Sequence, residues 1–151
     1  MKPGPGETRP FRDADLEAVV RLWHETKQAA YPYLPLEQGR TLEEDERFFR
    51  ERIRPLEIWV AEAAGEILGF LALRGSYLDR LYVRPGRQGA GVGTALERRA
   101  MERSPGGLEL HTHVRNGAAR AFYERHGFRA VRFGVSPPPE SEPDVEYHWK
   151  P

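Results

Sequence analysis

Apolar residues recur along the chain with two different periods. Leu16, Val19, Val20 and Trp23 fall at i, i+3, i+4 and i+7, one helical stripe facing a core, and Asp13 stands where such a helix is capped. After a break at residues 31–35, Thr41 and Glu44 have the spacing of a capping box. The helix behind them turns Leu42, Phe49 and Ile53 inward until Pro55 stops it. Residues 58–63 and 67–74 read as two strands turned by Ala64, Gly65 and Glu66, with a short edge strand at 8–11 before them. A strand at 78–83, a helix at 92–103, a strand at 108–114, a helix at 118–126 and a closing pair of strands at 130–135 and 145–149 complete the series. No internal repeat is evident.

The connection between strand 78–83 and helix 92–103 contains Gln88, Gly89, Ala90, Gly91, Val92, Gly93 and Thr94. A strand that enters a helix through glycines leaves the first helical N–H groups unpaired and uncrowded, and the helix dipole adds positive potential there. Phosphate is the expected ligand. Gly86 and Gly91 have P-loop spacing, but Val92 stands where a P-loop needs Lys. A dinucleotide fingerprint places its third glycine three residues after the second, which Gly89, Gly91 and Gly93 do not match. Nucleotide hydrolysis and NAD binding are therefore disfavoured.

Gln88, Gly91 and Gly93 resemble the acyl-CoA pyrophosphate loop of the GCN5-related N-acetyltransferase (GNAT) superfamily, a Gln or Arg followed by x, x, Gly, x and Gly or Ala. A second stretch, with Asn116, Ala118, Ala119, Phe122, Tyr123, Gly127 and Phe128, is similar to the motif that follows that loop in the family. Asn116 suits a helix cap, and Gly127 with Phe128 suits a Schellman ending. The resemblance covers roughly the whole chain and is strongest over 78–128. It implies an α/β fold with a mixed, mostly antiparallel sheet, a splayed parallel pair of strands 4 and 5, and helices on both faces. It also implies an acetyl-CoA-dependent N-acetyltransferase working by direct transfer in a ternary complex. The pantetheine arm would pair with main-chain groups of Leu81, Tyr82 and Val83, the pyrophosphate would lie on residues 88–94, Asn116 would contact the arm, and Tyr123 would protonate the departing sulfur. A non-catalytic acyl-CoA-binding or regulatory module on the same fold is the alternative.

Composition narrows the setting. A chain of 151 residues suits one domain, 1–151, able to bury about 70% of its unfolded surface, with residues 1–6 read as a flexible tail. Hydrophobic content of 39% beside 30% charged residues describes a soluble globular protein. No apolar run approaches the ~20 residues that span a membrane. The lack of cysteine excludes disulfides, thiolate metal sites and a cysteine nucleophile, and fits a cytoplasmic location. Zero net charge argues against nucleic-acid binding, yet residues 80–132 hold eleven arginines and no lysine against four glutamates, a net +7 suited to a phosphorylated nucleotide.

Acetyl transfer needs a neutral amine, a polarised thioester carbonyl and a proton for the thiolate. For the base, period-two alternation over 108–114 sends Glu109, His111 and His113 to one face. His111 lies five residues before Asn116, where some ribosomal-protein N-acetyltransferases that the chain resembles place a glutamate base. Glu62 and Asp79 are weaker candidates. Tyr31, Tyr33 and Leu34, with Pro32 and Pro35, form a stiff aromatic wall for the acceptor, with Glu37, Glu140, Glu142 and Asp144 favouring a cationic amine of a small molecule, peptide or protein. His24, His126 and His148 have no second ligand at metal-like spacing, so no metal is expected. Sequence leaves acyl length and oligomeric state open, a homodimer among the options.

Overall fold

The computed structural model describes residues 4–151. Seven strands form one sheet in the order β1-β2-β3-β4-β5-β7-β6. They are β1 (Glu7–Pro10), β2 (Glu57–Ala63), β3 (Glu66–Arg74), β4 (Tyr77–Val83), β5 (Leu108–His113), β6 (Arg129–Val135) and β7 (Pro143–Trp149). Every neighbouring pair is antiparallel except β4 and β5. That parallel pair meets at one position, Tyr77 opposite Glu109, and then diverges. The mixed sheet and its splayed parallel pair are those the sequence implied.

Helices cover both faces. On one side α1 (Leu16–Ala30) packs Val19, Val20 and Trp23, and the turn that continues α2 (Leu42–Phe48) packs Phe49 and Ile53, against Ile58, Val60 and Phe70. On the other, α3 (Val92–Arg103) and α4 (Gly117–Arg125) set Leu96, Ala100 and Tyr123 against Leu68, Leu71, Leu108, Leu110, Val145 and Tyr147. Strand β3 lies beneath both layers and is buried from Ile67 to Leu73, so its sequence is a continuous apolar run rather than an alternation. A Cβ on Gly69 would come 2.6 Å from the Tyr82 carbonyl oxygen and 3.1 Å from Leu96, which is how α3 reaches the sheet so closely.

Local signals mostly act as the pattern predicts. Thr41 Oγ1 accepts from the Glu44 N–H at 3.1 Å while Glu44 accepts from the Thr41 N–H at 3.0 Å, closing the capping box. Two expectations need correction. Asp13 does not cap α1. It opens a 3-10 turn, and Asp15 ties the entry, accepting from the Arg12 N–H at 2.8 Å and from Arg9 at 2.8 and 2.9 Å. The second helix does not run uniformly to Ile53, because a π-helical turn spans Phe49–Ile53 and places both its end residues in the core. Of the expected tail, Met1, Lys2 and Pro3 lie outside the described residues, whereas Gly6 sits against the Glu62 main chain and Pro5 lies beside Gly91.

Candidate active site

Where β4 and β5 part, a cleft opens on each face of the sheet. The first, of about 890 Å³, is lined by Leu81, Tyr82, Val83, the glycine loop, Asn116 and Tyr123. The second, of about 960 Å³, lies on the α1 side and is lined by Tyr77, Asp79, His111, His113, Glu140 and Asp144 among others. Tyr31 and Tyr82 line both, and their hydroxyls stand 3.4 Å apart. The two clefts therefore meet at this tyrosine pair. Burial, with Tyr82 as the next cause, holds the Tyr31 hydroxyl well above its usual acidity range, so it stays neutral.

Gly91 initiates α3 at φ 87°, a left-handed conformation that costs an L side chain roughly 1–2 kcal/mol. Among the described residues, no backbone N–H from position 88 to position 94 finds an acceptor in the chain. A row of orphaned donors at a helix start is what an anion requires, so the loop fits a diphosphate. Gln88 turns its side-chain amide toward the Val83 carbonyl at 3.4 Å. Arg84 N–H donates to Leu68 at 2.7 Å, and alternation then directs the main-chain groups of Tyr82 to β3 and those of Leu81 and Val83 into the gap. Tyr82 contributes its ring to the site rather than its backbone. Opposite Ala72 and Leu73 the register shifts, making Asp79 an extra residue of β4 at the point where the strands separate.

Two local devices fix α4. Asn116 accepts from the Ala119 N–H at 3.1 Å, so the side chain that lines the cleft is also the helix cap. Phe128 N–H donates to the Tyr123 carbonyl at 3.0 Å and Gly127 N–H to Glu124 at 3.2 Å, the bond pair of a Schellman motif, with Gly127 at φ 91°. The accompanying apolar contact is between the Tyr123 and Phe128 rings, 5.2 Å apart. The helix ending thereby positions Tyr123. Its hydroxyl bonds to no group among the described residues. Burial, then the Glu97 charge and Tyr82, raise it above the ordinary tyrosine range, keeping it a proton donor.

The histidines of β5 share a face, as the alternation required, but not a position. His111 is exposed, and its Nδ1 lies 2.8 Å from the Tyr77 hydroxyl. His113, one pair further along the diverging strand, packs its ring 5.0 Å from that of Tyr31 and is held by the Tyr33 hydroxyl at Nδ1, 2.9 Å, and Glu140 at Nε2, 3.0 Å. The histidine beside the junction is thus His113, not the residue that motif position favoured. Period-two alternation had put it on the correct face; only the splay reveals which of the two reaches the gap. Glu62 is engaged with Arg9 at 2.7 Å at the opposite edge of the sheet, away from both clefts.

Comparison with known proteins agrees with this geometry. The family model described as an acetyltransferase (GNAT) domain matches residues 54–130. The peptidyl-lysine N-acetyltransferase YjaB of Escherichia coli strain K12 is 32% identical over 126 residues, covering 82% of each chain. The chain belongs to the GNAT acetyltransferase family. It is an acyltransferase that uses acetyl-CoA to acetylate an amine. Two structural relatives of this GNAT domain span almost its whole length. The solution structure of apo YjaB from Escherichia coli superposes with a TM-score of 0.79 at 26% identity, covering 95% of this chain and 96% of that one. The PaiA N-acetyltransferase of Thermoplasma acidophilum, solved in complex with coenzyme A, superposes at 0.68 with 21% identity, covering 96% and 98%, and shares the fold. No helix among the described residues is long and apolar enough to cross a membrane.

Proposed function

We propose that this GNAT domain acetylates lysine side chains of peptides or proteins, with acetyl-CoA and acceptor bound at once from opposite faces of the sheet. The observation that carries the proposal is the meeting of the two clefts at Tyr31 and Tyr82. Acetyl-CoA supplies the activated acetyl group. The loop amides of residues 88–94 bind its diphosphate, the main-chain groups of Leu81 and Val83 that face the gap pair with its arm as a neighbouring strand would, the arm displacing the Gln88 amide from the Val83 carbonyl, and Asn116 faces the same cleft.

The acceptor cleft suits a cation. Lys27 is taken by Glu37 and Asp45, at 3.0 and 2.9 Å, and Arg40 by Asp45 at 2.7 Å. Asp144 has no cationic partner among the described residues, because Gly134 stands opposite it on β6 where Arg132 stands opposite Glu146. A lysine ammonium entering beside Asp144 and Glu140 is attracted, then must lose a proton, since its reference pKa is about 10.4. His113 accepts that proton at Nδ1 as the amine takes the place of the Tyr33 hydroxyl there, its Nε2–H staying on Glu140. The amine nitrogen then bonds to the acetyl carbon, the carbon–sulfur bond breaks, Tyr123 delivers its hydroxyl proton to the sulfur, and the second proton shed by the nitrogen as the amide forms returns to the tyrosine oxygen.

The test is incubation with acetyl-CoA and a panel of lysine peptides, N-terminal amines and small diamines, read by mass spectrometry. Lysine ε-acetylation that weakens in Asp144→Asn through KM, and in His113→Ala through kcat, supports the reading. Acetylation confined to α-amines or to small diamines would refute the acceptor assignment.

A further inference from the structure

At the outer rim of the acceptor cleft, β5 and β7 place acids and imidazoles in alternation on one sheet face, and His111 and Glu146 line the cleft itself. Glu109 stands opposite His148, and His111 opposite Glu146. Directly opposed side chains in an antiparallel pair have Cβ atoms about 4.5–5.5 Å apart, so these four residues form a square block. One ligand atom from each of Glu109, Glu146 and His148 falls within 4.8 Å of the others. Glu146 lies between the two rings, with Oε2 2.6 Å from His148 Nε2 and Oε1 3.6 Å from His111 Nε2. The structure points to a site here, and we propose that Glu109, Glu146 and His148, with His111 as fourth ligand, bind Zn²⁺.

The chemistry of the donors supports this choice. Two neutral imidazoles with two carboxylates suit a borderline transition ion, whereas Mg²⁺ and Ca²⁺ prefer oxygen alone. Tetrahedral zinc at ~2.1 Å from each ligand separates neighbouring ligand atoms by roughly 3.4 Å. Rotation of the two glutamate side chains covers the difference for Glu109, Glu146 and His148, and His111, which lies outside that group, completes the set by moving its Nε2 in from the Glu146 side. Tyr77 supplies the outer contact that metal-bound histidines commonly have: its hydroxyl engages His111 Nδ1, leaving Nε2 turned toward Glu146. The two carboxylates balance the charge of the dication. Arg132 lies 3.4 Å from Glu146 Oε1 as a competitor, but its side chain is 77% exposed and can swing into water. Spacing along one strand gives no sign of ligands that meet across two.

Zn²⁺, with Mg²⁺ in parallel, is titrated into the full chain by calorimetry, and histidine ring nitrogens are followed by long-range ¹H–¹⁵N NMR. One equivalent of Zn²⁺ should bind, Mg²⁺ should not, and affinity should fall at least about tenfold in His148→Ala and in Glu109→Gln. Both Nε2 resonances of His111 and His148 should shift, while those of His24, His113 and His126 stay. Glu109 is exposed, so its variant keeps the fold even if the other does not. No saturable binding at millimolar Zn²⁺, affinity equal in Glu109→Gln and wild type, or shifts on the other three histidines would overturn the site.

Discussion

Replacing Tyr123 by Phe isolates one hydroxyl. The ring keeps its neighbours, with centroids 5.2 Å from Phe122, 5.2 Å from Phe128 and 6.3 Å from Tyr147. The hydroxyl has no hydrogen-bond partner among the described residues to lose. Stability should therefore change by no more than about 0.5 kcal/mol, and acetyl-CoA affinity by less than about threefold. Loss of a general acid lowers turnover by about 10²–10⁴-fold. Even the lower end corresponds to about 2.7 kcal/mol of barrier, at 1.36 kcal/mol per tenfold. The assay pairs thiol release at saturating acetyl-CoA with calorimetric titration and a thermal melt of the same variant. Because burial raises this hydroxyl above the ordinary tyrosine range, wild-type turnover should show no alkaline limb from it below about pH 10. An unchanged kcat, or a fall in kcat matched by lost affinity or stability, would refute the role given to Tyr123.

Three further predictions follow from other parts of the molecule. Gly91→Val, forced to a φ of 87°, should cost roughly 1–2 kcal/mol of stability and weaken acetyl-CoA more than acceptor binding, as separate titrations would show. Asp45 is fully buried and accepts from His24, Lys27 and Arg40 at 2.6, 2.9 and 2.7 Å, so Asp45→Ala should lose about 3 kcal/mol in urea unfolding by leaving buried Lys27 with Glu37 alone and His24 and Arg40 without their acceptor. Burial pushes its carboxyl up, but those three bonds more than reverse this and leave it below the usual range. Its stabilising contribution is then present above the unfolded pKa and lost only as pH falls through the lower folded value. Glu97 behaves oppositely: burial raises it to about 8, so the unfolded chain ionises first and stability declines between about pH 4.5 and pH 8. Glu97→Gln should remove that decline, by at most about 5 kcal/mol at 1.36 kcal/mol per pKa unit, in melts recorded across the window.

Much of this organisation is legible in the residues themselves. The glycines before α3, the Asn116 cap and the Gly127–Phe128 ending act within a few positions of the side chains they control, so sequence displays them. Alternation in β5 likewise declares a face, since a strand has no other way to divide its side chains. What stayed hidden depends on partners distant in the chain. Asp15 rather than Asp13 ties the entry to α1 because Arg9 on β1 reaches it. Lys27, in a helix otherwise read by its apolar stripe, is buried because Asp45 and Glu37 meet it from elsewhere. The insertion of β7 between β5 and β6 sets Glu146 beside His111 and His148 beside Glu109, a juxtaposition that no spacing along either strand announces.

The most direct test of the central claim is an acetyl-CoA titration of the ¹⁵N-labelled protein, followed by its amide resonances. Saturable shifts centred on residues 88–94, with Leu81 and Val83 moving together with them, are the expected result. Absence of saturation at millimolar acetyl-CoA, or shifts confined to the opposite face of the sheet, would contradict it.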